Sequence, residues 1–147
     1  MIHIAGLHVR YQSDRGEVHA VRGINLQIKE GQFYTLLGPS GCGKTSTLRC
    51  LAGLEAASEG EITIAGSVVY SSSRGVLVPP HKRDIGMVFQ SYAIWPHMTA
   101  FENVAFPLQE MRRFSRREVK ERVSEALRLV QLSGIMNISP SRSIRKG

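Results

Sequence analysis

The sequence predicts an α/β fold. Three features carry that expectation. A glycine-rich stretch, "GPSGCGKT" from Gly38 to Thr45, stands between a short apolar run and a helical pattern. A second short apolar run follows at 85–89. Ahead of both, two long segments read as strands, and the second of them alternates apolar and polar residues, as a strand with one covered face does. The expected architecture is a P-loop NTPase core with parallel strands, plus an N-terminal antiparallel β-subdomain.

Each element has its own signal. Residues 2–11 read as a strand. Residues 18–28 read as another, with Ile24, Leu26 and Ile28 on one face. "KEGQ" is a turn. Residues 33–37 are nearly all apolar, the pattern of a strand buried on both faces. A helix over about 43–52 follows the glycine-rich stretch, with Gly53 as its stop. "GEITIAGSVVY" reads as a hairpin turning at Ala65-Gly66. Residues 71–84, "SSSRGVLVPPHKRD", read as a loop, and 85–89 as a second buried strand. Thr99 with Glu102, and Ser115 with Glu118, have capping-box spacing at two helix starts. In the second helix, about 115–132, Val119, Val123, Leu127 and Val130 form a core-facing stripe. Arg116, Arg117, Lys120 and Arg122 mostly face elsewhere.

Composition narrows the class. At 147 residues the chain is about one domain. No apolar run is long enough for a transmembrane helix, and the N-terminus has no signal-peptide pattern. Cys42 and Cys50 fit neither a disulfide framework nor a zinc spacing, so a reducing cytosol is the simplest compartment. The net charge is +7, and ten of the nineteen Lys and Arg lie in 111–147, against three acids. That balance favours anionic partners, although most of it reads as a solvated helix face.

The glycine-rich stretch fits G-x-x-x-x-G-K-[ST], and each residue type has a physical reason. Gly38, Gly41 and Gly43 let the backbone approach a phosphate closely. Successive N–H groups of the loop form an anion nest, and Pro39, Ser40 and Cys42 lie between the glycines. The following helix adds its positive end. Lys44 supplies charge at the β/γ-phosphates and Thr45 a hydroxyl for Mg²⁺. In parallel α/β sheets, ligands bind outside the carboxyl ends of the strands. If 33–37 and 85–89 are parallel neighbours, Gln90 emerges beside the γ-phosphate, where a neutral amide can accept from a water and reach Mg²⁺.

"GPSGCGKTSTLRCLAGLE" and "GMVFQSYAIWPHMTAFENVAFPL" closely resemble the nucleotide-binding subunits of ABC transporters, most of all importers of ferric iron, polyamines and sulfate. The resemblance implies ATP and Mg²⁺ as ligands and ATP hydrolysis as the activity. By that likeness Tyr11 is the aromatic residue that stacks on adenine. Gly38 to Thr45 are the Walker A motif, with Ser46 joining its phosphate contacts. Lys44 and Gln90 act in catalysis, and Thr45 and Gln90 at the metal. Tyr92 to Met98 would meet the membrane-spanning permease, giving Trp95 a reason to be exposed. The likeness further implies a homodimer on the cytoplasmic face of the inner membrane. No nucleic-acid partner is expected, since only the basic helix and tail would speak for one.

The sequence also departs from that family. Leu132-Ser133-Gly134 starts like its signature loop, but Ile135-Met136 follow in place of Gly-Gln. The only aspartates are Asp14 and Asp84, so no Walker B carboxylate follows Gln90, and no histidine follows His97. Residues 1–134 are therefore expected to be a partial nucleotide-binding domain, truncated before the signature and Walker B segments. Residues 135–147 are expected to be an atypical tail, from a truncated or frameshifted reading frame. Such a chain is expected to bind ATP but hydrolyse it poorly.

Overall fold

The computed structural model describes residues 1–14, 16–91 and 93–140. The chain divides into two compact units, Met1–Val88 and Phe89–Gly147.

In the first unit, β1 (Ile2–Ser13) and β2 (Gly16–Ile28) form a long antiparallel ribbon. β3 (Glu59–Ile64), β4 (Ser67–Ser71) and β5 (Val76–Leu77) extend it in the order β2-β1-β3-β4-β5, every pair antiparallel. The ribbon is interrupted where the pairing steps from Ile4 to Leu7, from Leu7 to His8 and from Val9 to Arg10. At the first step β1 holds the extra residue, and at the other two β2 does, at Gly23 and Ala20. A strand's side chains alternate strictly, so an extra residue exchanges its faces. That exchange is what lets Ile4, Leu7 and Val9 all be buried. They pack with Val21, Ile62, Ile64, Val69 and Tyr70 of the sheet and with Cys50 and Leu51 of α1 (Lys44–Ala52). The β3–β4 hairpin turns at Ala65 and Gly66, both with positive φ, as the sequence indicates.

Two expectations are corrected. Residues 33–37 and 85–89 are not strands, and Phe33, Leu37 and Val88 are 95, 96 and 97% exposed. An apolar run becomes a doubly buried strand only when neighbours bond both its edges and cover both its faces. Among the described residues, the five strands pair with one another and none borders either run. The positional argument for Gln90 loses its parallel neighbours with them. The loop at 71–84 is also more ordered than its composition suggests. It holds β5, a 3₁₀ turn at Pro80–Lys82 and the buried Arg83.

In the second unit, α2 (Ala100–Glu110) and α3 (Arg116–Leu129) pack through Ala105, Val119, Val123 and Leu127. Both capping boxes are present. The Thr99 hydroxyl accepts from the Glu102 N–H, and the Glu102 carboxylate accepts from the Thr99 N–H. Ser115 and Glu118 repeat the exchange. Val130 leaves the expected stripe: it is the C-cap of α3 and exposed, because the helix ends at Leu129. Leu132, Ser133 and Gly134 lie at a 3₁₀ turn, Ser133–Ile135, just beyond α3. The carbonyls of Met136 and Ile138 then accept from the N–H groups of Phe101 and Ala100 in the first turn of α2.

The capping boxes set a pH response. The backbone and hydroxyl donors of Thr99 and Ser115 hold the Glu102 and Glu118 carboxyls below the ordinary range. A depressed native value stabilises above the unfolded value, near 4.3 by reference. That stabilisation is lost as pH falls through the native value. Helicity followed by circular dichroism during acid titration should fall at higher pH in Glu118→Gln than in the parent chain.

Candidate functional site

The glycine-rich loop ends at Gly43, which caps α1 with φ +90° and no side-chain hydrogen bond. The helix therefore offers its first N–H groups and its positive dipole end to a ligand. A Cβ on residue 43 would lie 2.4 Å from the carbonyl oxygen of Ala20. Only glycine permits this contact, at the point where β2 carries its extra residue. A cavity of about 460 Å³ lies between loop and strand. Gly41, Cys42, Gly43 and Lys44 line one side, with His19 and Arg22 on the other.

The Lys44 ammonium donates to the carbonyls of Gly38 and Pro39, each at 2.7 Å, and lies 3.3 Å from Cys42 Sγ. It thus sits at the mouth of the loop, held by weak neutral acceptors that a phosphate oxygen outcompetes. Ser40 and Thr45 are exposed. The Tyr11 hydroxyl donates to Ser46 Oγ at 2.8 Å, so β1 and α1 bring the expected adenine-stacking residue to the expected phosphate-contacting one. Burial and then the Glu55 carboxylate raise the Tyr11 phenol, which keeps it protonated at neutral pH.

The loop and helix end fit a nucleotide's phosphates by their open donors and their close approach to β2. For Mg²⁺ the first turn of α1 offers the Thr45 hydroxyl. Among the described residues no group of three or more His, Cys, Asp or Glu could hold a metal ion.

Gln90 lies in the second unit and is exposed. Tyr92 lies outside the described residues. The segment beyond it is fixed from one side chain: Asn103 Oδ1 accepts from the Trp95 N–H at 2.7 Å. Its Nδ2 donates to the carbonyls of Trp95, Met98 and Thr99. Trp95 is half exposed and meets the rings of His97 and Phe106 edge-on.

Sequence reasoning missed Arg83 and Asn103. Arg83 is 3% exposed and donates to the carbonyls of Cys50 and Leu51 at the C-terminal end of α1 and to that of Val78. It satisfies orphan carbonyls and places a cation at the negative helix end. Gly53 leaves room for it, since a Cβ there would lie 2.5 Å from Arg83 Nε. The one available signal was a charged pair, Arg83-Asp84, directly before an apolar run.

A family profile described as "ABC transporter" matches residues 21–146. The chain belongs to the ABC transporter family. It is 52% identical over 125 residues to the trehalose/maltose import ATP-binding protein MalK of Thermococcus litoralis, covering 85% of this chain and 33% of that protein. It is 50% identical over 127 residues to the spermidine/putrescine import ATP-binding protein PotA of Rubrobacter xylanophilus, covering 86% and 32%. A dimeric ATP-binding cassette solved in a post-hydrolysis state, with ADP and Pi bound, superposes with a TM-score of 0.82 at 31% identity. The match covers 95% of this chain and 62% of that one. The chain thus spans about a third of the curated relatives it matches. The likeness to solved cassettes supports the α/β fold class, even though the two apolar runs of this ABC-family chain are unpaired.

Two outcomes follow from the site. Arg83→Ala removes the guanidinium from three carbonyls, those of Cys50 and Leu51 at buried positions, and should cost roughly 3 kcal/mol in urea unfolding. Cys42 is exposed, whereas Cys50 is buried and its thiol is pushed up to about 11. Alkylation followed by mass spectrometry should modify Cys42 first, reach Cys50 only on unfolding, and slow at Cys42 when Mg-ATP is added.

Proposed function

We propose that this chain is the ATP-binding part of an ABC importer's energising subunit. The observation that carries the reading is the uncapped N-terminus of α1 behind a glycine-rich loop, with Lys44 at the loop's mouth. The N–H groups of Gly38, Ser40, Gly41, Cys42 and Gly43 give backbone contact to the phosphates, and Pro39, which has no N–H, shapes the turn between them. Lys44 neutralises the β/γ-oxygens, Thr45 offers a hydroxyl to Mg²⁺, and Ser46 adds a phosphate contact. The Tyr11 ring stacks on adenine once its hydroxyl releases Ser46. Mg²⁺ would supply charge neutralisation at the phosphates, and the family likeness gives Gln90 as the residue to act with the metal and the attacking water.

Relatives named as importers act on sugars and on polyamines, so the transported solute is set elsewhere than in the shared loop. A permease is the partner proposed for Tyr92 to Met98, where Trp95 presents an aromatic anchor. Pairing with a second copy is proposed from the dimeric solved cassettes, with the assembly on the cytoplasmic face of the inner membrane. No helix among the described residues is long and apolar enough to cross a membrane.

Turnover by these 147 residues is proposed to be poor. Phosphoryl transfer depends on positioning and charge stabilisation, and no aspartate follows Asp84 to hold Mg²⁺ beside the γ-phosphate. Titration with a fluorescent ATP analogue and Mg²⁺ should saturate, and Lys44→Ala should weaken it by about tenfold or more, as expected when a charge-assisted contact is lost. Absence of saturable binding, or binding indifferent to Lys44→Ala, overturns the reading. Phosphate release at the rate of a full-length relative overturns the proposal of poor turnover.

A further inference from the structure

The two faults in β2 bring together a pair of imidazoles that the nucleotide site does not use. In the β1–β2 register His8 faces Arg22 and Arg10 faces His19, so the two histidines lie diagonally across the ribbon. The extra residues Gly23 and Ala20 on β2 shorten that diagonal. His8 Nδ1 and His19 Nε2 lie 2.9 Å apart, with ring centroids at 5.1 Å and planes 29° apart. The His8 ring rests over Gly23, where a Cβ would come within 2.9 Å of its Nε2. That seat turns Nδ1, not Nε2, towards His19.

Two nitrogens each about 2.0–2.1 Å from one ion, at a right angle, are themselves about 2.9 Å apart. The spacing therefore suits a bidentate clamp as well as a shared proton. Neutral imidazoles are ligands for Zn²⁺, Ni²⁺ and Cu²⁺ and poor ones for Mg²⁺. The surrounding charge is balanced. Arg10 pairs with Glu59 at 2.6 Å and lies 3.8 Å from Glu17, while Arg22 Nε donates to the His19 carbonyl. Glu59 stands opposite His8 in the β1–β3 register, but its carboxylate is engaged by Arg10. Two imidazoles are thus the donor set, with water completing the shell.

We propose that His8 and His19 form a two-imidazole site for a divalent transition metal on the β2 wall of the loop cavity, which His19 lines. The ion replaces the hydrogen bond between the rings and staples β1 to β2. The site uses none of the side chains proposed to hold the nucleotide or its Mg²⁺.

Ni²⁺ is the probe, because Zn²⁺ also favours the exposed thiol of Cys42. Isothermal titration of the untagged full chain should show one saturable Ni²⁺ site. His8→Gln and His19→Gln, each alone, should weaken it by about tenfold or more, the usual loss at an altered metal site. His3→Gln and His81→Gln should leave it unchanged. His19 lies on the edge strand, so His19→Gln carries the test even if His8→Gln perturbs folding, which circular dichroism reports. No saturable Ni²⁺ uptake, uptake surviving His19→Gln in the folded chain, or an equal loss in His81→Gln overturns the proposal.

Discussion

The carbonyl of Ala20 leaves no room for a side chain at residue 43, and the first unit is arranged around that contact. It is the place where the antiparallel sheet touches the glycine-rich loop. Ala20 can reach the loop because β2 carries an extra residue there, which lifts its carbonyl out of the regular ladder. The same ribbon brings Tyr11 to Ser46, so backbone and side-chain contacts from two strands fix the start of α1.

The opposite end of α1 is held just as firmly. Arg83 grips the last carbonyls of the helix, and Gly53 leaves space for its guanidinium plane. Burial lowers the pKa of Arg83, yet an arginine stays charged under any condition in which the protein folds. A nine-residue helix is too short to be stable alone. Clamped at both ends and packed through Cys50 and Leu51, it holds its N–H groups in fixed directions towards the loop's mouth. Preorganised donors of this kind need no rearrangement when an anion arrives.

Much of this was legible in the sequence, for local reasons. The loop, the helix with its Gly53 stop, the Ala65-Gly66 hairpin and both capping boxes are encoded by residues a few positions apart. What depends on distant partners was not. The runs at 33–37 and 85–89 carry the composition of buried strands, yet composition cannot supply an edge to pair with. Arg83 looked like one more loop cation, because no periodicity marks a buried guanidinium. The faults in β2 were hidden for the same reason: a pairing slip belongs to two strands, and either one alone reads as regular. Of the expected site, the loop residues with Tyr11 and Ser46 form one cluster, whereas Gln90 belongs to the other unit.

Asn103 carries a mechanical consequence. The turn around Trp95 has no regular secondary structure, but one amide from α2 engages its backbone at Trp95, Met98 and Thr99. Such a surface behaves as an outgrowth of the helix and not as a floppy connector. Whatever seats against the indole meets a shape already set, so little freedom is surrendered on contact.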